Sequence, residues 1–485
     1  MEAILAQMRA AQGIEDARSS EDEDVSGDVS TRATPGEEAA RFRAMQTLCA
    51  EFAAAAKEWL GGRWYAHFES WLYARRAVGG TEEDGDPFPR GESDGRDREL
   101  IRKLRAAGAS EGEATRACRR LAKASEAARR AAAAVASGTR FNDKAHRVRS
   151  REFVVGADAS GDGVPKVELS CGKVKVEVNA RHYAALRKRF QRATKSSSDE
   201  EFQRAAFCLL ARYACLQGTH YKAGNMQAAI PPRVLDVLRD KFEVRCEMFA
   251  SPLNAYLDDY CSASKATDAP FGSRGSAFAY EPEEGSFECN PPFDEQFISR
   301  LASHLERLLS RSRKKPLSFC VIVPTWPDSQ AWGRLSKSVY CTSNTTLAAK
   351  EHAFVSGAQH SRIDQLTPSS ADTSVIFLQN QAGERKWPVT EDALKSIREA
   401  FAPLKKAGSS APLEKWDPDA PLGAGPNSRR LPAEAESWVY GNDAPKRTAD
   451  EPAVADAPKT KKKKTSGVVE EKRRDGAVSA GFFRE

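Results

Sequence analysis

The ten cysteines of this 485-residue chain include no Cys-x-x-Cys pair. That speaks against a zinc site and against a disulfide framework, and suits a reducing compartment. No stretch approaches the roughly 18 apolar residues of a membrane-spanning helix. The opening residues, MEAILAQMRAAQGIEDARSSEDED, turn acidic before an apolar core of signal-peptide length appears, so neither an integral membrane protein nor a secreted one is expected. A Gly-x-Gly-x-x-Gly loop is also missing, which by itself counts against a dinucleotide-binding turn. Charge of one sign is not in excess: 74 Lys and Arg against 68 Asp and Glu leave +6. What is present is 40% hydrophobic residues over a length that suggests about three structural units at roughly 150 residues each.

Those residues are unevenly distributed. Residues 1–36 are rich in Ser, Asp and Glu and read as a disordered head. Residues 37–78 show a helical period through Phe42, Met45, Leu48, Cys49 and Phe52, continued by Trp59, Trp64, Phe68 and Trp71. Gly, Pro and acids make 79–98 a linker. Residues 99–243 read as a helical domain, with one short strand at KVKVEV. Within it Arg116, Arg119, Arg120 and Lys123 share a helix face, either as an ordinary solvated surface or as a phosphate-contacting stripe. From 244 to 402 strands and helices alternate. VRCEMF, Ser276–Tyr280, Ser286–Cys289, the continuous apolar run PLSFCVIVP (316–324) and SVIFL (374–378) are strand candidates, and the helices run over 293–310 and 391–401. That alternation implies an α/β core with an open, doubly wound sheet. Residues 403–485 are rich in Pro, Ala and Lys and read as a disordered basic tail. Its segments 458–464 and 472–474 resemble a nuclear localisation signal, so the expected location is the nucleus.

The residues with the clearest chemistry are Asn290-Pro291-Pro292-Phe293, which follow a strand candidate and open a helix. Two prolines remove two backbone donors and hold φ at both positions, so the carbonyls of the segment are free to accept. An exocyclic aromatic amine is a poor nucleophile because its lone pair is delocalised into the ring. Two acceptors, the Asn290 side chain and the Pro291 carbonyl, can take its N–H bonds and push the nitrogen toward an attacking geometry, while Phe293 stacks on the base. The same motif type also serves glutamine amides and guanine N2, so it narrows the reaction to nitrogen methylation without choosing the acceptor.

Longer blocks carry a resemblance. Glu247–Asn254 (EMFASPLN), Thr267-Asp268 with Phe271–Gly275, Gly285–Phe293 (GSFECNPPF) and Pro316–Phe319 through Pro324-Thr325-Trp326 are in order. Glu351-His352, Ser356–His360, Val375–Asn380 and Lys386-Trp387 follow. Together they resemble the phosphorylated-CTD-interacting-factor family, the cap-specific adenosine N6-methyltransferases of eukaryotic messenger RNA. The resemblance implies a Rossmann-like, doubly wound methyltransferase sheet preceded by a helical domain, S-adenosylmethionine as cofactor and the capped 5′ end of mRNA as partner, with no metal and no membrane. It places Asn290, Pro291, Pro292 and Phe293 at the reacting centre. Phe249, Ala250, Ser251, Pro252 and Asn254, with Asn290 and Phe293, would contact the cofactor, the first five in place of a glycine-rich loop. Glu295, Trp326, Asp268, Arg274, His352 and His360 would border the substrate.

Family members with a WW module carry it at the N-terminus, where it associates with the phosphorylated C-terminal domain of RNA polymerase II. Here Trp59, Trp64 and Trp71 fall in a helical pattern, so no WW module is expected and a polymerase partner has no visible device. The alternatives are an adenine N6-methyltransferase acting on another RNA or DNA, and a non-catalytic relic that binds RNA or the transcription machinery. The two readings of the basic face are separable. Charge reversal at Arg116 and Arg119 weakens RNA binding and lowers its salt dependence if the face contacts phosphates, and leaves both unchanged if it is only solvated.

Overall fold

Thr34 starts the first helix with a capping box: its hydroxyl accepts from the Glu37 amide, and the Glu37 carboxylate accepts from Thr34 N. The computed structural model describes residues 33–79, 87–89, 97–138, 147–155, 164–220, 223–312, 314–361 and 366–402. The expected acidic head and basic tail, with its lysine runs, lie almost wholly outside the described residues. Helices α1 (Pro35–Leu60), α2 (Trp64–Gly79), α3 (Arg98–Ala106) and α4 (Glu111–Gly138) form a bundle. Buried alanines line its longest contact, Ala44, Ala55 and Ala56 on α1 and Ala114, Ala117 and Ala128 on α4, where small side chains let the two backbones approach. Phe52, Phe68 and Trp71 fill the remainder, with ring centroids 5.0–5.9 Å apart.

Two expectations are corrected here. Within the expected linker 79–98, Phe88 is buried in the bundle core, Ser125 Oγ donates to the Pro89 carbonyl at 2.5 Å, and Asp97 both accepts from Trp71 Nε1 at 2.9 Å and caps α3. One aromatic ring with apolar surface to bury outweighs its Gly- and acid-rich neighbours. The expected helical domain over 99–243 also contains a three-stranded antiparallel sheet, β1 (Val148–Val155), β2 (Val164–Cys171) and β3 (Val174–Asn179). Its inner face, Val167, Leu169, Val174, Val176 and Val178, packs on α5 (Ala180–Thr194) and α6 (Asp199–Gln217). Only β3 was legible, because β1 is exposed along most of its length and lacks an apolar alternation.

Beyond α6 come α7 (Pro232–Phe242), β4 (Cys246–Glu247), β5 (Asp259–Tyr260), α8 (Lys265–Asp268), β6 (Gly285–Cys289), α9 (Glu295–Arg311), β7 (Leu317–Pro324) and α10 (Gln330–Ser336). They are followed by β8 (Cys341–Leu347), β9 (Ala353–Val355), β10 (Leu366–Pro368), β11 (Thr373–Gln379), α11 (Gln381–Lys386) and α12 (Glu391–Phe401). Six strands form one sheet in the order β5-β4-β6-β7-β11-β8, and β9 pairs with β10 separately. Pairing is parallel from β5 to β7, but β11 runs antiparallel to both neighbours, so the sheet is mixed. The continuous apolar run of β7 is explained by burial on both faces: Phe319, Val321 and Val323 meet α9, while Cys320 and Ile322 meet α7 and α12. Residues Ser276–Tyr280, expected as a strand, form a turn in which the amides of Ala279 and Tyr280 both donate to the Ser276 carbonyl. All ten cysteines are free thiols, and Cys341 alone is not fully buried. Among the described residues no helix is long and apolar enough to cross a membrane.

The helical part and the sheet part are joined through a buried ion pair. Arg212 on α6 donates to both Glu38 oxygens on α1, at 2.9 and 2.5 Å, and its remaining arm donates to Ser264 Oγ at 2.8 Å, ahead of α8. Both residues are buried, and the paired charge pushes the guanidinium pKa further up against the opposing effect of burial. Replacing Arg212 with Met leaves the buried Glu38 carboxylate to Arg41, 2.6 Å away on the same helix, and the urea midpoint should fall by the equivalent of about 3 kcal/mol, the lower end for a broken buried pair; the Glu38→Gln, Arg212→Met double variant should regain part of that loss.

Candidate functional site at the carboxyl edge of the sheet

In an open α/β sheet, ligands bind beyond the carboxyl ends of the strands where the strand order reverses. The chain places β5 on one side of β4 and then β6 on the other, so the reversal lies between β4 and β6. Each of these strands ends in a loop at that edge. After β4, Met248 N donates to the Glu288 carbonyl at 2.8 Å and Ala250 N to the Cys261 carbonyl at 3.1 Å, which ties the loop to both neighbouring strands. Asn254 then closes it. Its Oδ1 accepts from Ser251 N at 2.7 Å and Ser251 Oγ at 2.8 Å, and its Nδ2 donates to the Gln227 carbonyl at 3.3 Å. Side-chain bonds here do the work that glycines do in other phosphate- or nucleoside-binding turns.

After β6, Asn290 is 7% exposed. Its Nδ2 donates to the Ala228 carbonyl at 2.8 Å. A carbonyl partner can only face the NH2 end of the amide, so the orientation of the side chain is determined and Oδ1 is left with no partner among the described residues. Leaving such an acceptor unpaired costs about 1–3 kcal/mol.

Between the two loops opens a cleft with about 830 Å³ of space including its mouth. Phe249, Phe278 and Phe297 form one wall, edge to face, with centroids 5.3–5.9 Å apart. Tyr73 from α2, with Tyr213 and Leu216 from α6, forms another, and Met226, Gln227 and Ala228 complete it beside Ala250, Ser251, Asn254, Asn290 and Pro292.

Six of the expected site residues therefore meet in one cleft: Phe249, Ala250, Ser251, Asn254, Asn290 and Pro292. The others lie elsewhere. Pro252 and Pro291 are buried away from the lining. The half-buried ring of Phe293 stands edge-on to Phe354 at 5.7 Å, outside the lining. Glu295 is exposed and accepts from Ala331 N at 3.3 Å, at the start of α10. Trp326, half-buried after β7, packs on the core beneath α9.

Several of the expected substrate contacts have partners within the fold. Asp268 has no exposed surface and accepts from Tyr213 OH and Thr267 Oγ1, each at 2.7 Å, and from Ser264 N at 3.3 Å; burial pushes its carboxyl pKa up. It joins α6 to α8. Arg274 is an exposed partner of Asp259, with its guanidinium 5.1 Å from the Tyr280 ring centre. His352 is buried with both ring nitrogens engaged, by the Ala348 carbonyl and Thr373 Oγ1, each at 2.8 Å. His360 is buried where its carbonyl accepts from Asn179 N at 2.7 Å. Tyr73, Gln227, Ala228 and Phe278 were missed by sequence reasoning, since nothing in their own segments distinguishes them from core or loop. Phe297 was read only as the apolar side of a helix.

Two acids lie on the strands that lead into the cleft loops. Glu247 and Glu288 are register partners on β4 and β6, and both are buried. Glu247 Oε1 accepts from the amides of Tyr256 at 2.8 Å and Leu257 at 2.7 Å, yet burial pushes its pKa up to about 7. Glu288 is pushed well above the usual carboxylate range by burial and by the charge of Glu247. Among the described residues, no group of His, Cys, Asp or Glu is arranged to hold a metal.

Fold and site together define an α/β protein with an aromatic-walled cleft at the switch point of a mixed sheet. Comparison with known proteins adds two similarities over part of the chain. Residues 184–357 match the family model described as the phosphorylated CTD interacting factor 1 WW domain. The chain is 39% identical over 219 residues to the mRNA (2′-O-methyladenosine-N(6)-)-methyltransferase of Homo sapiens, covering 44% of this chain and 31% of the human protein. It is equally similar over 219 residues to the Mus musculus protein of that name, covering 44% of this chain and 30% of the other. The chain thus spans about a third of the length of the curated relatives it matches. These matches support the family resemblance carried by the motif blocks. The description of the matched family corrects the expectation that no WW module is present. The matched residues run from α5 to just past β9 and do not include the tryptophans of α1 and α2.

A pH dependence follows from Glu247. Its native pKa lies above the ordinary value of 4.5, so the neutral carboxyl stabilises the fold fully below about pH 4.5, and that contribution is lost as pH rises through about 7. Urea midpoints measured across this range should fall by the equivalent of about 3 kcal/mol in the native chain, and by clearly less in Glu247→Gln, which keeps the acceptor for Tyr256 and Leu257.

Proposed function

We propose that the protein is an S-adenosylmethionine-dependent methyltransferase with a Rossmann-like core, acting on N6 of the 2′-O-methyladenosine beside the mRNA cap. The observation that carries this reading is the unpartnered Oδ1 of Asn290, held at the mouth of β6 by the carbonyl of Ala228. The switch-point cleft, the aromatic wall and the printed name of the two mammalian relatives support it.

The residues present suit the cofactor: Phe249 offers an apolar face, and Ser251 and Asn254 a polar loop. Bound there, S-adenosylmethionine supplies an electrophilic methyl carbon. Asn290 accepts an N–H of the exocyclic amine, which draws the nitrogen lone pair out of ring conjugation. The amine proton becomes acidic as the new bond forms and can leave to solvent, so no strong base is required. Phe249, Phe278 and Phe297 exclude water from one side, and the low dielectric strengthens the bond to Asn290. A base enters such a pocket only after leaving its stack.

The capped RNA end is the partner of this reading, and the lysine-rich segments 458–464 and 472–474, outside the described residues, support a nuclear site of action. The family match begins within α5, so the bundle α1–α4 lies outside it. That favours one second reading, adenine N6-methylation without cap dependence. Nucleoside mass spectrometry after incubation with labelled cofactor, on capped and uncapped RNA beginning with 2′-O-methyladenosine, separates the two. A preference for capped RNA above about tenfold, 1.4 kcal/mol, is expected, and a smaller one selects the second reading. Asn290→Ala should lower kcat by about 10²–10³-fold while the affinity for S-adenosylhomocysteine stays within several-fold. Near-normal turnover by that variant would remove Asn290 from the reaction.

A further inference from the structure

The acceptor oxygen of Asn290 is only as well placed as the Ala228 carbonyl that orients its amide. Ala228 belongs to the segment between α6 and α7, where it directly follows a single 3-10 turn, Asn225–Gln227, and lies in no strand of the sheets. On its far side Ala229 exchanges a pair of bonds with Val355, at 2.9 and 2.8 Å. On its near side the bonds go to a carboxylate from the N-terminal bundle. Glu69 on α2 has no exposed surface. Its two oxygens accept from Gly224 N, each at 3.1 Å, and Oε1 also accepts from Met226 N at 3.1 Å. Four residues further along the same helix face, Tyr73 OH accepts from Gln227 Nε2 at 2.9 Å. The Gln227 carbonyl then takes the Asn254 amide, and the Ala228 carbonyl takes the Asn290 amide.

We infer that Glu69 is a positioning residue: through the amides of Gly224 and Met226 it sets the height of the Gln227 and Ala228 carbonyls, and so the orientation of both asparagines that face the cleft. Buried backbone N–H groups in irregular chain need acceptors, and bonds from N–H to a carboxylate are the stronger, shorter kind. Gly224 has no room to find another arrangement. Its φ is +118°, and a Cβ there would come within 3.2 Å of Ala358. Packing of α2 against α9, the helix that follows Asn290, fixes the same relation from the other side. The bundle is therefore part of the site although none of its charged groups lines it.

This inference rests on the methyltransferase reading for its kinetic arm and stands without it for its structural arm. The structural arm is amide hydrogen exchange. In Glu69→Ala, protection should fall across residues 224–228 while the amides of β6 and β7 stay as in the native chain. Unchanged protection of 224–228 overturns the inference whatever the enzyme does. The kinetic arm measures kcat for transfer to capped adenosine-initiated RNA. A displacement of about 1 Å in a reacting group costs on the order of a hundredfold, so Glu69→Ala should lower kcat by about that factor, and Glu69→Gln, which keeps an acceptor oxygen, should recover to within about threefold of native. Leu72→Ala is the control, because it cuts the core of the same helix without touching Glu69. An equal kcat loss in Leu72→Ala reduces Glu69 to a stabilising residue and overturns the proposal. If Glu69→Ala does not fold, Glu69→Asp, which withdraws the same carboxylate by one methylene, takes its place in both arms. A native chain that transfers no methyl group refutes the function, and the exchange result still decides the role of Glu69.

Discussion

Arg212 is the constraint around which the two halves of the protein are arranged. Its guanidinium is taken out of water between α1 and the segment ahead of α8, and a buried charge is tolerable only when its partners are close and complete. Glu38 supplies the countercharge and Ser264 a further acceptor, so α1, α6 and the sheet edge must meet in one relation. The neighbouring residue adds a second link: Tyr213 donates to Asp268, whose carboxyl pKa burial pushes up. With α6 pinned at two successive residues, Tyr213 and Leu216 present one wall of the cleft, and the chain that follows begins at a known place and direction.

The cleft inherits its geometry from that arrangement in a specific order. The bundle holds the segment before α7, that segment holds two asparagine side chains, and the asparagines shape the loops after β4 and β6. Each bond uses the donor half of an amide. In Asn254 the acceptor half is consumed by Ser251, and the loop is closed. In Asn290 the acceptor half is spared, in a residue that lines the cleft. On the strands that lead into these loops Glu247 and Glu288 are register partners, and burial raises the pKa of both.

The sequence was legible wherever a single segment carries the whole pattern. The run PLSFCVIVP is apolar at every position because both faces of β7 are covered, and the corner Asn290-Pro291-Pro292 announces itself by removing donors between a strand and a helix. It was illegible wherever the deciding partner is remote. β1 sets Arg149-Ser150-Arg151-Glu152 between its apolar ends and is exposed along most of its length, so its pairing with β2 could not be read from its own pattern. Phe88 could not be seen to reach the bundle core across an acid-rich stretch. Asp268 and His352 have the residue types of a substrate site, and a sequence does not distinguish a polar side chain satisfied by the core from one facing a ligand. Tyr73, Gln227 and Ala228 enter the cleft by tertiary placement alone.

The cysteines are distributed among the separate cores: Cys49, Cys118 and Cys215 in the bundle, Cys171 under the three-stranded sheet, and Cys246, Cys261 and Cys289 on one face of the large sheet with Cys320 on the other. Burial raises the pKa of Cys49 to about 11 and pushes those of Cys171, Cys289 and Cys320 up as well, so these thiols are inert while the chain is closed. Each core thus carries its own silent reporter. Alkylation kinetics would record which part of the molecule breathes first, and the order of labelling would read out how far the bundle and the sheet unfold as independent units.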